Sequence, residues 1–183
     1  MPDYLWDMEV CIGLGSNLGD REGWLRRGVE GVSAHWGPPR RWSRCYETEA
    51  WGMPPGTPAF LNQVVLWEVD GGRTGVREAL AMLGEVERRA GRERPSEPKP
   101  HPNPTYLNRT LDCDLLLWGD EQWHLPDLIV PHPRLTQRRF VLAPLAELVP
   151  HQVVPGDGRT VATCLACCPD PHPVTPWTPP STP

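Results

Sequence analysis

Apolar and polar residues alternate near the start of the chain, placing Val10, Ile12 and Leu14 on one face of an extended segment. The segment runs into Gly15-Ser16-Asn17-Leu18-Gly19-Asp20, a turn in which Asp20 or Asn17 can cap a helix. Beyond it the period changes. Leu25, Gly28, Val29 and Val32 recur at i, i+3, i+4 and i+7, which predicts an amphipathic helix that Gly37-Pro38-Pro39 ends. Trp42 to Thr48 and Phe60 to Val69 predict a second and third strand, with a Gly- and Pro-rich loop between them. After Gly71-Gly72 a second helix is predicted from about Thr74 to Ala90, with Val76, Leu80, Leu83 and Ala90 on one stripe and Gly91 as its stop. Glu87 falls on that apolar stripe. A carboxylate there needs a partner, and Arg92 and Arg94 are near in sequence. Leu111 to Trp118 is the clearest strand, Pro131-His132-Pro133 a turn, and Phe140 to Leu148 suits either strand or helix.

Two helices interleaved with at least four short strands predict an α+β fold, an α/β sandwich. Two strand-helix-strand units suit a ferredoxin-like core, its antiparallel or mixed sheet flanked by helices. Residues 95–104 hold five prolines in ten positions, which excludes helix or interior strand and predicts a stiff exposed loop. Residues 169–183 hold seven in fifteen, so the expected organisation is one domain over 1–168 and a disordered or extended tail over 169–183. No internal repeat is visible.

Composition narrows the function classes. The chain of 183 residues is long enough for a real core. Its net charge of −5 argues against nucleic acid or an anionic membrane as partner. A ligand phosphate would need a local basic cluster. No apolar run reaches the roughly 18 residues of a membrane span. Asp3, Asp7 and Glu9 sit where a signal peptide would be basic, so a cytoplasmic location with reduced cysteines is expected. Cys164, Cys167 and Cys168 form a CxxCC cluster near His151 and His172, with spacing too loose for a standard metal site, so incidental thiols are expected.

The chemistry centres on Arg109-Thr110-Leu111-Asp112-Cys113-Asp114-Leu115-Leu116-Leu117. On a strand, Asp112 and Asp114 share one face about 7 Å apart, while Leu111, Cys113, Leu115 and Leu117 take the other. Like charges so close favour a cation between them, and hard oxygen ligands select Mg²⁺ completed by water and substrate phosphate. The bland alternative is a solvated strand face. Arg92, Arg94, Arg109, Arg138 and Arg139 are suited to bidentate phosphate contacts, although any one of them could equally be surface charge. His132, between two prolines, gains weight only from its neighbours. The chain's two phenylalanines, Phe60 and Phe140, could clamp a flat heterocycle with Asn62 reading its edge, although spacing alone favours plain core.

In order along the chain stand Gly13-Leu14-Gly15-Ser16-Asn17-Leu18-Gly19-Asp20-Arg21, Tyr46-Glu47-Thr48-Glu49-Ala50-Trp51-Gly52 and Phe60-Leu61-Asn62-Gln63-Val64-Val65. Gly91-Arg92-Glu93-Arg94, the Arg109 to Asp114 run, Pro131-His132-Pro133-Arg134 and Arg138 to Glu147 follow. Each is weak alone and the ordered set is specific. From about Val10 to Pro155 the chain resembles the 6-hydroxymethyl-7,8-dihydropterin pyrophosphokinases of folate biosynthesis. The resemblance implies transfer of pyrophosphate from ATP to the pterin hydroxymethyl group, with AMP leaving. It implies two Mg²⁺ ions on Asp112 and Asp114. It assigns ATP to Arg92, Arg94, Arg109, His132 and Arg138. Phe60 and Phe140 would sandwich the pterin, with Asn62 and the backbone around Thr48 and Trp51 at its edge. No obligate protein partner is implied.

Where the family often has Trp-Gly-Pro before the motif arginine, this chain has Tyr106-Leu107-Asn108, and the proline-rich stretch before it is longer than usual. Tyr106 is expected to serve in a lid over the site. Two rivals remain at this level. A Gly-Ser turn with a DxD strand also outlines nucleotidyltransferases, which release pyrophosphate, although their two elements usually lie close in sequence. A binding module that has lost turnover is the other.

Overall fold

The computed structural model describes residues 7–50, 53–71, 74–92 and 108–179. In chain order the first half gives β1 (Asp7–Ser16), α1 (Arg21–Trp36), β2 (Arg41–Trp42), β3 (Tyr46–Thr48), β4 (Phe60–Asp70) and α2 (Val76–Arg89). The second half gives β5 (Asp112–Trp118), β6 (Trp123–Leu125), β7 (Leu128–Val130), a 3-10 turn (Leu135–Gln137), α3 (Arg139–Leu148), α4 (Val161–Ala166) and β8 (Thr175–Pro176).

β1 is the spine, pairing antiparallel with β4 on one side and β5 on the other. The main path runs β5-β1-β4-β3-β8, with β2 also on β4 and every pair antiparallel. The path β5-β1-β4-β3, with α1 and α2 as its two crossovers, is the ferredoxin-like arrangement, so the antiparallel alternative is the one adopted. β6 and β7 make a separate hairpin.

Period-two alternation sends the two sides of the sheet into two cores. Val10, Ile12, Leu14, Leu61, Trp67, Leu111, Cys113 and Leu115 pack with α1 and α2. Cys11, Val64, Leu66 and Leu116 pack with α3 and α4. Burying each large apolar side chain contributes about 1.5–3 kcal/mol, so this layering is the main stabilising term. Trp36 of α1 meets Trp67 and Trp118 edge-on, each at 6.2 Å between centroids, which fixes the helix to the sheet. Asp20 caps α1, its Oδ1 accepting the Gly23 N–H at 3.0 Å.

Several sequence expectations need correction. The strand predicted over Trp42 to Thr48 is two short strands. The Ser43 hydroxyl accepts the Val64 N–H at 3.0 Å and donates to the Arg44 carbonyl at 2.7 Å, breaking the ladder between them. Leu117 does not share a face with Leu115. The register with β1 shifts between Cys11 and Ile12, so Leu116 is an extra residue; Leu117 joins the α3 side and Trp118 returns to the α1 side. Phe140 to Leu148 resolves as helix, with Pro144 inside it. The β6–β7 hairpin, α4 and β8 were not anticipated. Among the described residues, no helix is long and apolar enough to cross a membrane.

Candidate active site

The site lies on the α3 side of the sheet, at the end of β1. There Gly15 faces Asn62 on β4 and Asp112 on β5, and Gly13 faces Val64 and Asp114. A Cβ on Gly15 would stand 3.3 Å from Asn62 Oδ1, so glycine at this point opens the floor between polar side chains. The resulting cavity, about 210 Å³, is lined by Thr48, Phe60, Asn62, Arg92, Arg109, Asp112, Asp114, His132, Arg138 and Phe140 among others. That volume suits a small heterocycle, being below the roughly 300–1,000 Å³ of drug-sized pockets.

Ten of the fourteen candidate residues therefore converge on one cavity. Arg139, expected among the phosphate-binding arginines, does not line it and donates instead to the carbonyls of Asp170 and Cys168. The other three, Trp51, Arg94 and Tyr106, lie outside the described residues. Asp112 and Asp114 share the pocket face, as the alternation requires. Asp112 is ion-paired on both oxygens, Oδ1 to Arg92 and Oδ2 to Arg109 at 2.6 Å. Asp114 makes no hydrogen bond to a described residue. Burial, then the negative charge of Asp112, pushes its carboxyl up to about 7, with Arg138 and Arg109 opposing in part.

Glu87, the carboxylate on the apolar stripe of α2, lies beside this pair. Only 2% exposed, it takes Arg92 as ion-pair partner and accepts the Cys113 N–H at 2.8 Å. It thus holds the peptide between the two aspartates and anchors Arg92 beside Asp112. Burial works against the charge on Arg92, but Asp112 and Glu87 outweigh it and hold its pKa above the ordinary value.

His132 is neutral near pH 7, because burial and then Arg138 push its pKa down to about 4. Its Nδ1 accepts the Arg134 N–H at 3.1 Å, so the neutral ring carries its proton on Nε2 and acts as a donor there. Guanidiniums flank both phenylalanines: Arg109 stands 6.0 Å from the Phe60 centroid and Arg138 5.5 Å from that of Phe140. Asn62 donates to Thr48 Oγ1 at 2.9 Å, fixing its amide at the pocket wall and leaving an acceptor oxygen and one N–H.

Asn17 is a residue the sequence left underassigned. It is 2% exposed, and its Oδ1 accepts the Arg109 N–H at 2.8 Å. Its Nδ2 donates to Asn108 Oδ1 at 2.8 Å and to the Pro58 carbonyl at 3.3 Å. One side chain thus ties the end of β1 to the segments leading into Phe60 and Asp112. The Gly-Ser-Asn turn was its only signal.

The thiol cluster lies elsewhere. Cys164 on α4 donates to Asp157 Oδ1 at 3.7 Å, Cys168 is buried and Cys167 exposed. No group of three or more His, Cys, Asp or Glu among the described residues is placed to hold a metal.

Fold and pocket define a class: a ferredoxin-like α/β sandwich whose sheet end presents a carboxylate pair, a cluster of arginines and two aromatic rings to one cavity. The chain belongs to the 7,8-dihydro-6-hydroxymethylpterin-pyrophosphokinase (HPPK) family, which residues 11–150 match. It is 39% identical over 140 residues to the 2-amino-4-hydroxy-6-hydroxymethyldihydropteridine pyrophosphokinase of Bacillus subtilis, covering 75% of each chain. The Porphyromonas gingivalis protein of that name is 35% identical over 142 residues, covering 77% of this chain and 90% of that one. A crystal structure of Plasmodium falciparum HPPK-DHPS with pterin and p-hydroxybenzoate shares the fold, with a TM-score of 0.64 at 11% identity. That likeness covers 91% of this chain, which spans less than half (45%) of the crystallised one.

Proposed function

We propose that the chain, a pyrophosphokinase of folate biosynthesis by family, uses this pocket to move the β,γ-pyrophosphoryl group of ATP onto 6-hydroxymethyl-7,8-dihydropterin. The observation that carries the reading is the convergence of Asp112, Asp114, Arg92, Arg109 and Arg138 with two phenylalanines on one cavity. Phe60 and Phe140 stack the pterin, while Asn62 and the backbone at Thr48 meet its polar edge. The triphosphate lies along Arg92, Arg109 and Arg138, with the Nε2–H of His132 donating to a phosphate oxygen. By the family resemblance Arg94 would join the nucleotide contacts, Trp51 the pterin contacts and Tyr106 a lid; all three lie outside the described residues.

In the reaction the hydroxymethyl oxygen bonds to the β-phosphorus as the bond from that phosphorus to the α,β-bridging oxygen breaks. The bridging oxygen leaves with AMP, and the hydroxyl proton passes to solvent. No covalent enzyme nucleophile is needed, because this chemistry asks mainly for alignment and charge stabilisation.

The donor set fits Mg²⁺: two hard carboxylates on one strand face, one of them without a described partner, leave most of an octahedron to water and phosphate. Asp112 and Asp114 would hold two such ions, which supply neutralisation of charge on the entering and leaving oxygens. Arg92 and Arg109 pair with Asp112 and would supply positive charge to the phosphates beside it.

Product analysis tests the reading. Incubation with ATP, Mg²⁺ and the hydroxymethyl pterin should give equal amounts of AMP and pterin diphosphate, with no AMP when the pterin is omitted. Free pyrophosphate with a nucleotidylated pterin would assign the pocket to nucleotidyl transfer instead.

A further inference from the structure

The start of α3 carries two residues of the pocket, Arg138 and Phe140, yet the helix is poorly equipped to hold itself there. Its N-cap is Arg138, which supplies no side-chain cap. Pro144 stands four residues after Phe140, so the Phe140 carbonyl lacks its usual i+4 N–H partner. The first turn is thus short of hydrogen bonds at both its free N–H groups and one carbonyl.

The missing support arrives from the C-terminal segment, beyond the family match at 11–150. Asp170 is 5% exposed and its Oδ2 accepts the Arg139 N–H at 3.1 Å, capping α3 from 31 residues away. Arg139 returns the contact, its Nε donating to the Asp170 carbonyl at 2.9 Å and its Nη2 to that of Cys168 at 3.5 Å. Asp170 is itself fixed, its Oδ1 taking the His172 N–H at 3.1 Å and the His172 ring Nδ1 at 2.6 Å. Five residues further on, β8 adds to β3 and the Trp177 N–H donates to the Cys45 carbonyl at 2.9 Å. β3 ends at Thr48, which lines the same pocket. The segment read in sequence as a tail is therefore bonded to α3 and to β3, two elements that carry pocket residues.

We propose that Asp170 is a positioning residue for the transfer site: by capping α3 through the Arg139 amide it sets Arg138 and Phe140 against the nucleotide and the pterin. The inference rests on the assignment of those two side chains under Proposed function. An aspartate at a helix N-terminus satisfies an orphan N–H and opposes the positive end of the helix dipole, and its loss frays the first turn. Fraying scatters Arg138 and Phe140 and weakens ground-state binding. The carboxylates and the remaining arginines keep their places.

The test compares the 183-residue chain with Asp170→Ala and Asp170→Asn at about 10 °C, measuring pterin and ATP affinity, KM and kcat, and amide exchange at Arg139. Asp170→Ala should raise both dissociation constants and both KM values roughly 3- to 30-fold, the equivalent of a lost cap, with a smaller change in kcat. Exchange of the Arg139 amide should quicken. Asp170→Asn keeps an acceptor oxygen and should recover most of the affinity. If Asp170→Ala does not fold, Arg139→Ala, which loses the bonds to the carbonyls of Asp170 and Cys168, should shift affinity in the same direction by less. Unchanged pterin and ATP affinity in a variant whose Arg139 amide exchanges faster overturns the proposal, as does unchanged exchange. Wild-type protein that binds no pterin overturns instead the functional reading beneath it.

Discussion

Two aspartates only one residue apart on β5 live in different electrostatic surroundings. Asp112 is held by Arg92 and Arg109, whereas burial and the charge of Asp112 keep Asp114 protonated up to about pH 7. A cation taken by this pair must therefore displace a proton below that pH, and Mg²⁺ affinity should fall roughly tenfold per pH unit between about pH 7 and 5. Calorimetric titration of the full chain at pH 5.5, 6.5 and 7.5 checks this, and an affinity independent of pH would contradict it. The same shift makes stability depend on pH. The folded chain binds more protons than the unfolded one between Asp114's ordinary value and about 7. That contribution is present at low pH and lost as pH rises through about 7. His132 acts oppositely. Being neutral in the fold, it contributes above its ordinary value and loses that contribution as pH falls toward about 4. The aspartate pair was legible in sequence because strand alternation alone puts both on one face. Glu87 was half legible: a carboxylate on an apolar helix stripe signals a partner, but not that it also grips the Cys113 amide across the α2–β5 packing.

Among the elements, the end of β1 depends most on a single side chain. Asn17 links the Arg109 backbone, Asn108 and the Pro58 carbonyl, so one amide sets where two loops enter the pocket. Asn17→Ala leaves the Arg109 N–H without its acceptor and should cost about 1–3 kcal/mol of stability in urea unfolding. It should also raise KM for both substrates; unaltered stability and KM would show the link to be incidental. β1, α1 and α2 were readable from their periods of two and 3.6, β4 from its β-branched and aromatic content, and β5 from the alternation over Leu111 to Leu115. The gap between β2 and β3 was not readable, since it is set by Ser43 answering Val64 on the neighbouring strand. Nor was the extra residue Leu116, because a bulge is a property of pairing with β1 and not of β5 alone. α3 was ambiguous for a related reason: an apolar run of that length fits either element until its partner core is known.

At the scale of the molecule, the sheet separates a structural side from a working side. α1 and α2 close one core, and the pocket opens on the other side between the sheet and α3. Tyr46 on β3 and Glu147 on α3 bond directly, and Arg44 donates its Nε–H to the same carboxylate at 2.7 Å, tying β3 to α3. The C-terminal segment braces them again through Asp170 and β8. Its seven prolines in fifteen residues hid this role, because proline content argues against regular structure but not against an extended segment laid along a sheet edge. Pyrophosphoryl transfer at the Asp112–Asp114 face, as proposed above, depends on the Asp114 carboxylate. The most direct measurement is pterin-dependent AMP formation by wild type and Asp114→Ala at saturating ATP and Mg²⁺, with near-ultraviolet circular dichroism confirming the fold of each. Turnover by the wild type and a loss of about 10²–10³-fold or more in the folded variant is the predicted result. A folded Asp114→Ala chain that forms AMP at close to the wild-type rate would contradict the account.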